Sequence, residues 1–300
     1  MFSLTILGCN SAIPSHGRNP TSQVLQTQDD SFLIDCGEGT QLQLSKFKIK
    51  TSKISHIFIS HLHGDHYFGL IGLLSSMSLL NRKNDIHLYG PARLKEIIDI
   101  QLEVASVELT YPLHYHELKD DGMIANTGKI SVSCFSVSHG IDCWGFIFRE
   151  IKNPRSVIPE KAKAFEIPSA YFNELQKGKD YTTKKGTIIK NEEVTIPAKN
   201  GRSYAYCADT LFNMEIAAIV KEVDLLYHET TYLKNLEERA AARFHSTTTQ
   251  AATIAKSANV GRLIIGHYSS KYDNTEPFLS EAKEVFEKTV LAEEGTCYFL

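Results

Sequence analysis

The sequence predicts an α/β (α+β) protein in which β-sheets are faced by helices. Short apolar runs bounded by Gly, Pro, Asn and Asp recur from residue 2 onward at strand length. Early runs follow one another closely, whereas later ones alternate with segments whose apolar residues fall three and four apart, the period of a helix lying on a sheet. At 300 residues and 42% apolar, the chain can bury one large core and lies at the upper edge of single-domain size.

Taken in order, residues 2–7 (FSLTIL), 23–27 and 31–35 (SFLID) are strands. GEGT at 37–40 lacks the glycine spacing of a phosphate-binding loop and predicts a tight turn. SHIFIS (55–60) is a further strand, and FGLIGLLSSMSLL from Phe68 is long enough for a buried helix, so ISHLHGDHYFG (59–69) spans a strand-to-helix loop. IHLYGP (86–91) is a strand leading into the amphipathic helix ARLKEIIDIQLEVA. Strands recur at 130–137, 144–149, 203–208, 223–228 and 262–266, and helices are expected at about 212–221, 247–257 and 278–289.

Residues 150–200 break this rhythm. They hold Pro154, Pro159, Pro168 and Pro197 and little periodicity, and predict an inserted, protruding arm within a domain spanning 1–300. Net charge is only −3, which gives no global support for a nucleic-acid partner. Locally the balance differs: residues 149–202 carry twelve basic side chains against seven acidic ones, a segment at +5 in a chain whose remainder is −8. That asymmetry suits a polyanion, or simply a solvated lysine-rich face.

Six cysteines lie far apart without a CxxC pair, which predicts free thiols in a reducing compartment. The opening MFSLTILGC has too short an apolar run and no basic flank for a signal peptide, and no run approaches the roughly 18 residues of a membrane helix. A cytoplasmic protein with no membrane partner is expected.

His61, His63, Asp65 and His66 fall within six positions of the loop after SHIFIS. Imidazole and carboxylate together suit zinc or a similar divalent ion, with one position kept open for water. In an extended loop His61 and His63 project to one side, while Asp65 and His66 follow on the turn and can face a second ion. Further ligands are expected where a polar residue closes an apolar strand: His139 after SCFSVS, Asp209 after SYAYCA and His267 after RLIIG. The set divides into His61, His63 and His139 for one ion and Asp65, His66 and His267 for the other, with Asp209 bridging. Two such ions can polarise an oxygen and stabilise both attacking and leaving oxygens of an in-line displacement.

HLHGDH with the downstream His139, Asp209 and His267 resembles the metallo-β-lactamase superfamily, which implies a four-layer αββα sandwich with a dinuclear site at one edge of the sheets. LGCNSAIPSHGRNPTS, LIDCGEGTQLQL, YHETTY, HSTT and IGHYSSKY resemble, in order, the signatures of the ribonuclease Z family, from about residue 3 to the late 280s. That resemblance implies a metal-dependent endoribonuclease that removes 3′ trailers from precursor tRNA with a metal-activated water, leaving a tRNA 3′-hydroxyl and a trailer 5′-phosphate. It also implies two divalent ions, zinc or alternatively manganese, and a homodimer whose basic arm clamps the tRNA body.

Within this frame His245 is the proton donor to the leaving oxygen and Glu229 its orienter. HSTT also has the form of a helix start, with Ser246 or Thr247 as cap. Asp65 would bind its ion and orient the attacking water or accept its proton, and His228 would support the ligands. Arg18 and Asn19 are expected to contact RNA, and Ser269, Ser270 and Lys271 to hold phosphate near the ions or cap the next turn. Two departures stand out: the arm lacks the family's glycine-proline tip, with EIPSAYFNELQKGKDY in its place, and Ala208 replaces the glycine usual before the aspartate. His16, His56, His87, His114 and His116 have no partner spacing. The alternative is a hydrolase of small molecules, such as a lactam, thioester or cyclic nucleotide, on the same fold.

Overall fold

The computed structural model describes residues 2–151, 154–197 and 201–300; Lys152 and Lys199 of the basic segment lie outside them. In chain order the strands are β1 (Phe2–Gly8), β2 (Ser22–Thr27), β3 (Ser31–Cys36), β4 (Ile54–Phe58), β5 (Ile86–Gly90), β6 (Leu113–Glu117), β7 (Gly122–Asn126), β8 (Ile130–Val137), β9 (Cys143–Glu150), β10 (Ser156–Val157), β11 (Tyr181–Thr182), β12 (Ile188–Ile189), β13 (Thr195–Ile196), β14 (Ser203–Cys207), β15 (Leu225–Glu229), β16 (Leu263–Gly266), β17 (Thr289–Leu291) and β18 (Cys297–Phe299). Two seven-stranded sheets carry the architecture, ordered β18-β1-β2-β3-β4-β5-β6 and β17-β16-β15-β14-β9-β8-β7.

Strands β3 to β6 are mutually parallel, as are β14 to β17. Parallel strands need both faces covered, which is why their sequences run apolar rather than alternate. The covering helices on the first sheet are α1 (Thr40–Lys46), the single turn α2 (Gly64–Tyr67), α3 (Leu70–Leu79) and α4 (Leu94–Val104). In α3 the buried Leu70, Leu73, Leu74 and Met77 form one stripe at helical spacing, and in α4 Leu94 and Ile98 do the same. These side chains pack with Val24, Leu33, Ile57 and Leu88 of the sheet.

Between the sheets the core is aromatic. Phe58 lies 5.4 Å from Phe146 and 5.3 Å from Phe148, and Phe32 lies 5.7 Å from Phe148. The helices after β14 are α8 (Glu215–Ile219), α9 (Glu237–Ala242), α10 (Thr248–Ser257) and α11 (Glu276–Val285); α10 and α11 back the second sheet, so the layers run αββα.

The strands read from sequence are present with edges shifted by a residue or two. Outside residues 150–200, absent from the sequence reading are α1, the single turn α2, the helix at Glu237–Ala242, β6, β7, β17 and β18. Edge strands β6 and β7 are too exposed to leave an apolar run, and α1 has only three buried residues. Expected to reach residue 289, α11 stops at Val285, where Phe286 turns extended.

Residues 126–131 and 149–202 form a second compact unit. It contains β10 to β13, α5 (Pro159–Ala164), α6 (Phe172–Gln176) and α7 (Asn191–Val194), around a small core of Ala162, Ile167, Leu175, Ile189 and Val194. No periodicity was legible there because each element is too short to show more than one or two core positions. Glu174 pairs with Lys177 and Lys179, Asp180 with Lys190, and Glu150 with Arg202. Lys184 and Lys185 are exposed beside Gly186 (φ 83°), in the turn joining β11 to β12, and have no ion pair among the described residues. All six cysteines are free, and among the described residues no helix is long and apolar enough to cross a membrane.

Candidate metal centre

The strands of both sheets deliver polar residues at their carboxyl ends, where ligands gather in open α/β sheets. His61, His63, Asp65 and His66 follow β4, His139 follows β8, Asp209 follows β14, Glu229 closes β15, and His267 follows β16. Gly37 makes this convergence sterically possible. A Cβ there would overlap the carbonyl oxygen of Asp65, so only glycine lets the turn after β3 pass beneath the ligand loop.

The ligand atoms fall into two groups that could each hold an ion: His61, His63, His139 and Asp209, and Asp65, His66 and His267. His63 Nδ1 lies 3.1 Å from both His61 Nε2 and His139 Nε2. In the second group His66 Nε2 is 3.3 Å from His267 Nε2, and Asp65 Oδ2 is 3.4 Å from His267 Nε2. Asp209 spans the groups: Oδ2 is 3.7 Å from His61 Nε2 and 3.5 Å from His66 Nε2, while Oδ1 is 3.3 Å from His267 Nε2. Its Oδ1 is buried without a hydrogen-bond partner, an arrangement that is costly for a carboxylate unless a cation satisfies it. Donor types, convergence and this orphan oxygen fit divalent metal.

The far side of each ring is also occupied. His66 Nδ1 donates to Asp35 Oδ2 at 2.7 Å, and His139 Nδ1 donates to the Phe244 carbonyl at 2.9 Å. His61 Nδ1 lies 3.0 Å from Ser60 Oγ, which donates to Asp35 at 2.9 Å, and His267 Nδ1 lies 2.9 Å from Thr231 Oγ1. Four imidazoles thus have Nδ1 engaged and Nε2 facing the cluster, the orientation that supports give to metal-bound histidine. Asp35 also accepts from Ser60 N at 2.7 Å and Tyr206 Oη at 2.6 Å. Asp35 (φ 54°) and His267 (φ 62°) both take left-handed backbone conformations, strain that concentrates at functional positions.

Electrostatics follow from burial opposed by charge. Burial pushes Asp209 and Glu229 up, but neighbouring imidazoles, led by His267 for Asp209 and His245 for Glu229, hold both carboxyls below the usual range. Burial pulls His61 well down, whereas for His66 burial is outweighed by Asp209, Asp65 and Asp35.

His245 sits beside this centre with Nδ1 3.2 Å from Glu229 Oε1. Burial disfavours its cation, yet Glu229 raises its pKa to about 9. Ser246 N donates to the same oxygen at 2.7 Å, and Thr247 caps α10 in a capping box with Gln250. The HSTT string therefore starts a helix and also places a histidine against a carboxylate. An open cavity of about 320 Å³ lined by residues 136–144 adjoins His139.

The remaining residues singled out from the sequence make contacts within the protein. Arg18 turns inward, donating to Asn10 Oδ1, Asp273 O and Tyr272 O, and Asn19 is bound to Glu294. Their polar groups are occupied because the N-terminal loop must be held down: its Ala12 N donates to Asp65 Oδ2 at 2.7 Å. Ser269 Oγ accepts from Lys271 N, and the Lys271 ammonium lies over the Tyr272 ring. His228 Nδ1 meets the Glu229 carbonyl at 2.7 Å, with no ligand atom among its partners. His56, His87 and His114 stack across β4, β5 and β6 at 5.0 and 4.9 Å, and His16 meets the Ser270 carbonyl. Asp35, Ser60 and Thr231 were missed from the sequence. Asp35 closes the apolar run SFLI just as Asp209 closes its own, so the same test of strand ends identifies it.

Known proteins share both sequence and architecture with this chain. The family model described as "Anti-Pycsar protein Apyc1" matches residues 2–150. A curated Ribonuclease Z of Cytophaga hutchinsonii is 47% identical over 306 residues, covering all of this chain and 96% of that protein. The structure of the short form of human tRNase Z superposes with TM-score 0.73 at 27% identity, over 99% of this chain and 98% of that one. The metallo-β-lactamase fold protein YhfI of Bacillus subtilis superposes with TM-score 0.71 at 18% identity, over 99% and 98% of the two chains, and shows the shared fold.

Proposed function

This chain belongs to the ribonuclease Z family and is a metal-dependent endoribonuclease of tRNA 3′ processing; from that premise we propose that it works with two divalent ions, most simply zinc, held on either side of Asp209. What carries the two-ion assignment is Asp209, whose Oδ2 lies between His61 and His139 of one group and His66 of the other, while Oδ1, buried without a hydrogen bond, faces His267. Held by these residues, divalent ions would supply Lewis-acid chemistry, making water acidic near neutral pH and offsetting charge on a phosphate.

The chain's own residues do the rest. Asp65, already anchored by Ala12 N, has one carboxylate edge at the ligand cluster and orients the attacking water or takes its proton. His245 is protonated at neutral pH beside Glu229 and gives its proton to the leaving 3′-oxygen, which is a poor leaving group otherwise. Glu229 fixes the ring so that Nδ1 is occupied and Nε2 is the donating atom. Because water attacks, the RNA 2′-hydroxyl is not consumed, and the products are a tRNA 3′-hydroxyl and a trailer 5′-phosphate. Arg18 and Asn19 shape the loop that abuts Asp65 rather than reading RNA themselves. Phosphates of the tRNA body are bound by the basic unit at 149–202, with Lys184 and Lys185 foremost, and the working form is a homodimer in the cytoplasm.

Titrating metal-free protein with zinc while following precursor-tRNA cleavage tests the ion count. Activity should rise with sigmoidal dependence and saturate at two equivalents per chain. Full activity at one equivalent would overturn the two-ion assignment.

A further inference from the structure

Thr231 Oγ1 lies 2.7 Å from Glu229 Oε2, 2.9 Å from His267 Nδ1 and 3.2 Å from His245 Nδ1. A hydroxyl has one hydrogen to give. Glu229 Oε2 belongs to an ionised carboxylate and can only accept, so the hydrogen of Thr231 points there. The hydroxyl must then accept from His267, which places that ring's proton on Nδ1 and its lone pair on Nε2. Nε2 is the atom that faces Asp209 at 3.3 Å and Asp65 at 3.4 Å. The same molecule repeats this construction at the other ion group: Ser60 Oγ stands between Asp35 Oδ2 at 2.9 Å and His61 Nδ1 at 3.0 Å.

We infer that Thr231 is a positioning residue acting as a one-way hydrogen-bond relay, through which Glu229, a carboxylate outside both ligand groups, sets the tautomer of the ligand His267 while also orienting His245. The inference rests on the two-ion assignment above and extends it. One carboxylate then couples proton donor and metal ligand, so the two respond together when it is altered.

Reversing the relay is the sharpest consequence. In Glu229→Gln the Oε1 position faces three donors, Thr210 N, Ser246 N and the His245 ring, against the single Thr231 N at 2.8 Å on the other side, so the oxygen stays there and the amide nitrogen turns towards Thr231. Thr231 then accepts from the amide and aims its own hydrogen at His267 Nδ1, favouring the tautomer whose Nε2 cannot ligate.

The test is competition for zinc between a chromophoric chelator and the protein, without RNA, for wild type, T231V, T231S and E229Q. Valine is isosteric with threonine, and thermal unfolding of each metal-free protein controls for folding. T231V and E229Q should each hold one of the two ions about 10- to 100-fold more weakly, the usual effect of losing a ligand's support. T231S, which keeps the hydroxyl, should match wild type. Two ions held as tightly by E229Q and T231V as by wild type would overturn the relay, and should T231V not fold, tight binding of both ions by E229Q would overturn it alone. Wild type binding a single ion would contradict the two-ion assignment before any variant is compared. Wild type failing to cut precursor tRNA while E229Q still loses an ion would retain the relay and discard the RNA substrate.

Discussion

At the scale of single residues, the proposed mechanism rests proton donation on His245 and its carboxylate. His245→Ala should lower turnover by about 10²–10⁴-fold, the usual contribution of general acid catalysis, while leaving the affinity for precursor tRNA nearly unchanged, measured by single-turnover cleavage beside a binding titration. The pH dependence has a definite sign. A histidine raised to about 9 keeps its proton through neutrality, so turnover should hold below that value and fall as pH rises through it. Removing the Glu229 charge takes away the largest upward influence and leaves burial opposed only by the weaker Asp209 and Asp65, so in Glu229→Gln the fall should begin at lower pH. Asp35→Asn should weaken metal retention about 10- to 100-fold, because Asp35 holds His66 directly and His61 through Ser60. The residues that converge at the candidate metal centre were legible in the sequence, since each is a His or Asp closing an apolar strand or crowding the loop after one. Asp35 met the same criterion. Thr231 and Ser60 did not, because a hydroxyl between a carboxylate and an imidazole has no spacing signature and is recognised only from distances.

At the scale of elements, the ligand loop after β4 is held by the turn after β3. Gly37→Ala would drive a methyl into the Asp65 carbonyl, so it should displace Asp65 and His66 and lower both stability and metal affinity, read by thermal unfolding with and without zinc. Buried parallel strands and the α3 and α4 stripes announced themselves because burial on both faces, or along one, forces a run or a period. The exposed edge strands β6 and β7 carry no such constraint, and neither do the short elements around Leu175 and Val194, whose core forms only when several of them meet. Arg18 illustrates the limit in another way. A cation in a loop beside a metal site suggests substrate, yet three acceptors within its own protein claim it.

At the scale of the whole molecule, chemistry and RNA affinity are assigned to different units. Deleting residues 155–195 should weaken precursor-tRNA binding while hydrolysis of a small phosphodiester is retained. Replacing Lys184 and Lys185 by alanine should make the affinity less sensitive to salt, reducing the slope of log affinity against log salt by about one for each phosphate no longer neutralised. Normal tRNA binding by the deletion variant would assign the clamp elsewhere. Sheets faced by helices were legible because later strands alternate with helices, the family because its motifs lie at strand ends throughout the chain, and the αββα layering only through that family resemblance. The measurement that bears most directly on the central claim is cleavage of end-labelled precursor tRNA by the zinc-loaded protein, with the cut position and terminal groups mapped. A single cut at the 3′ end of the tRNA body leaving a 3′-hydroxyl and a trailer 5′-phosphate is the predicted result; a 2′,3′-cyclic phosphate, or no cut while small diesters are hydrolysed, would contradict it.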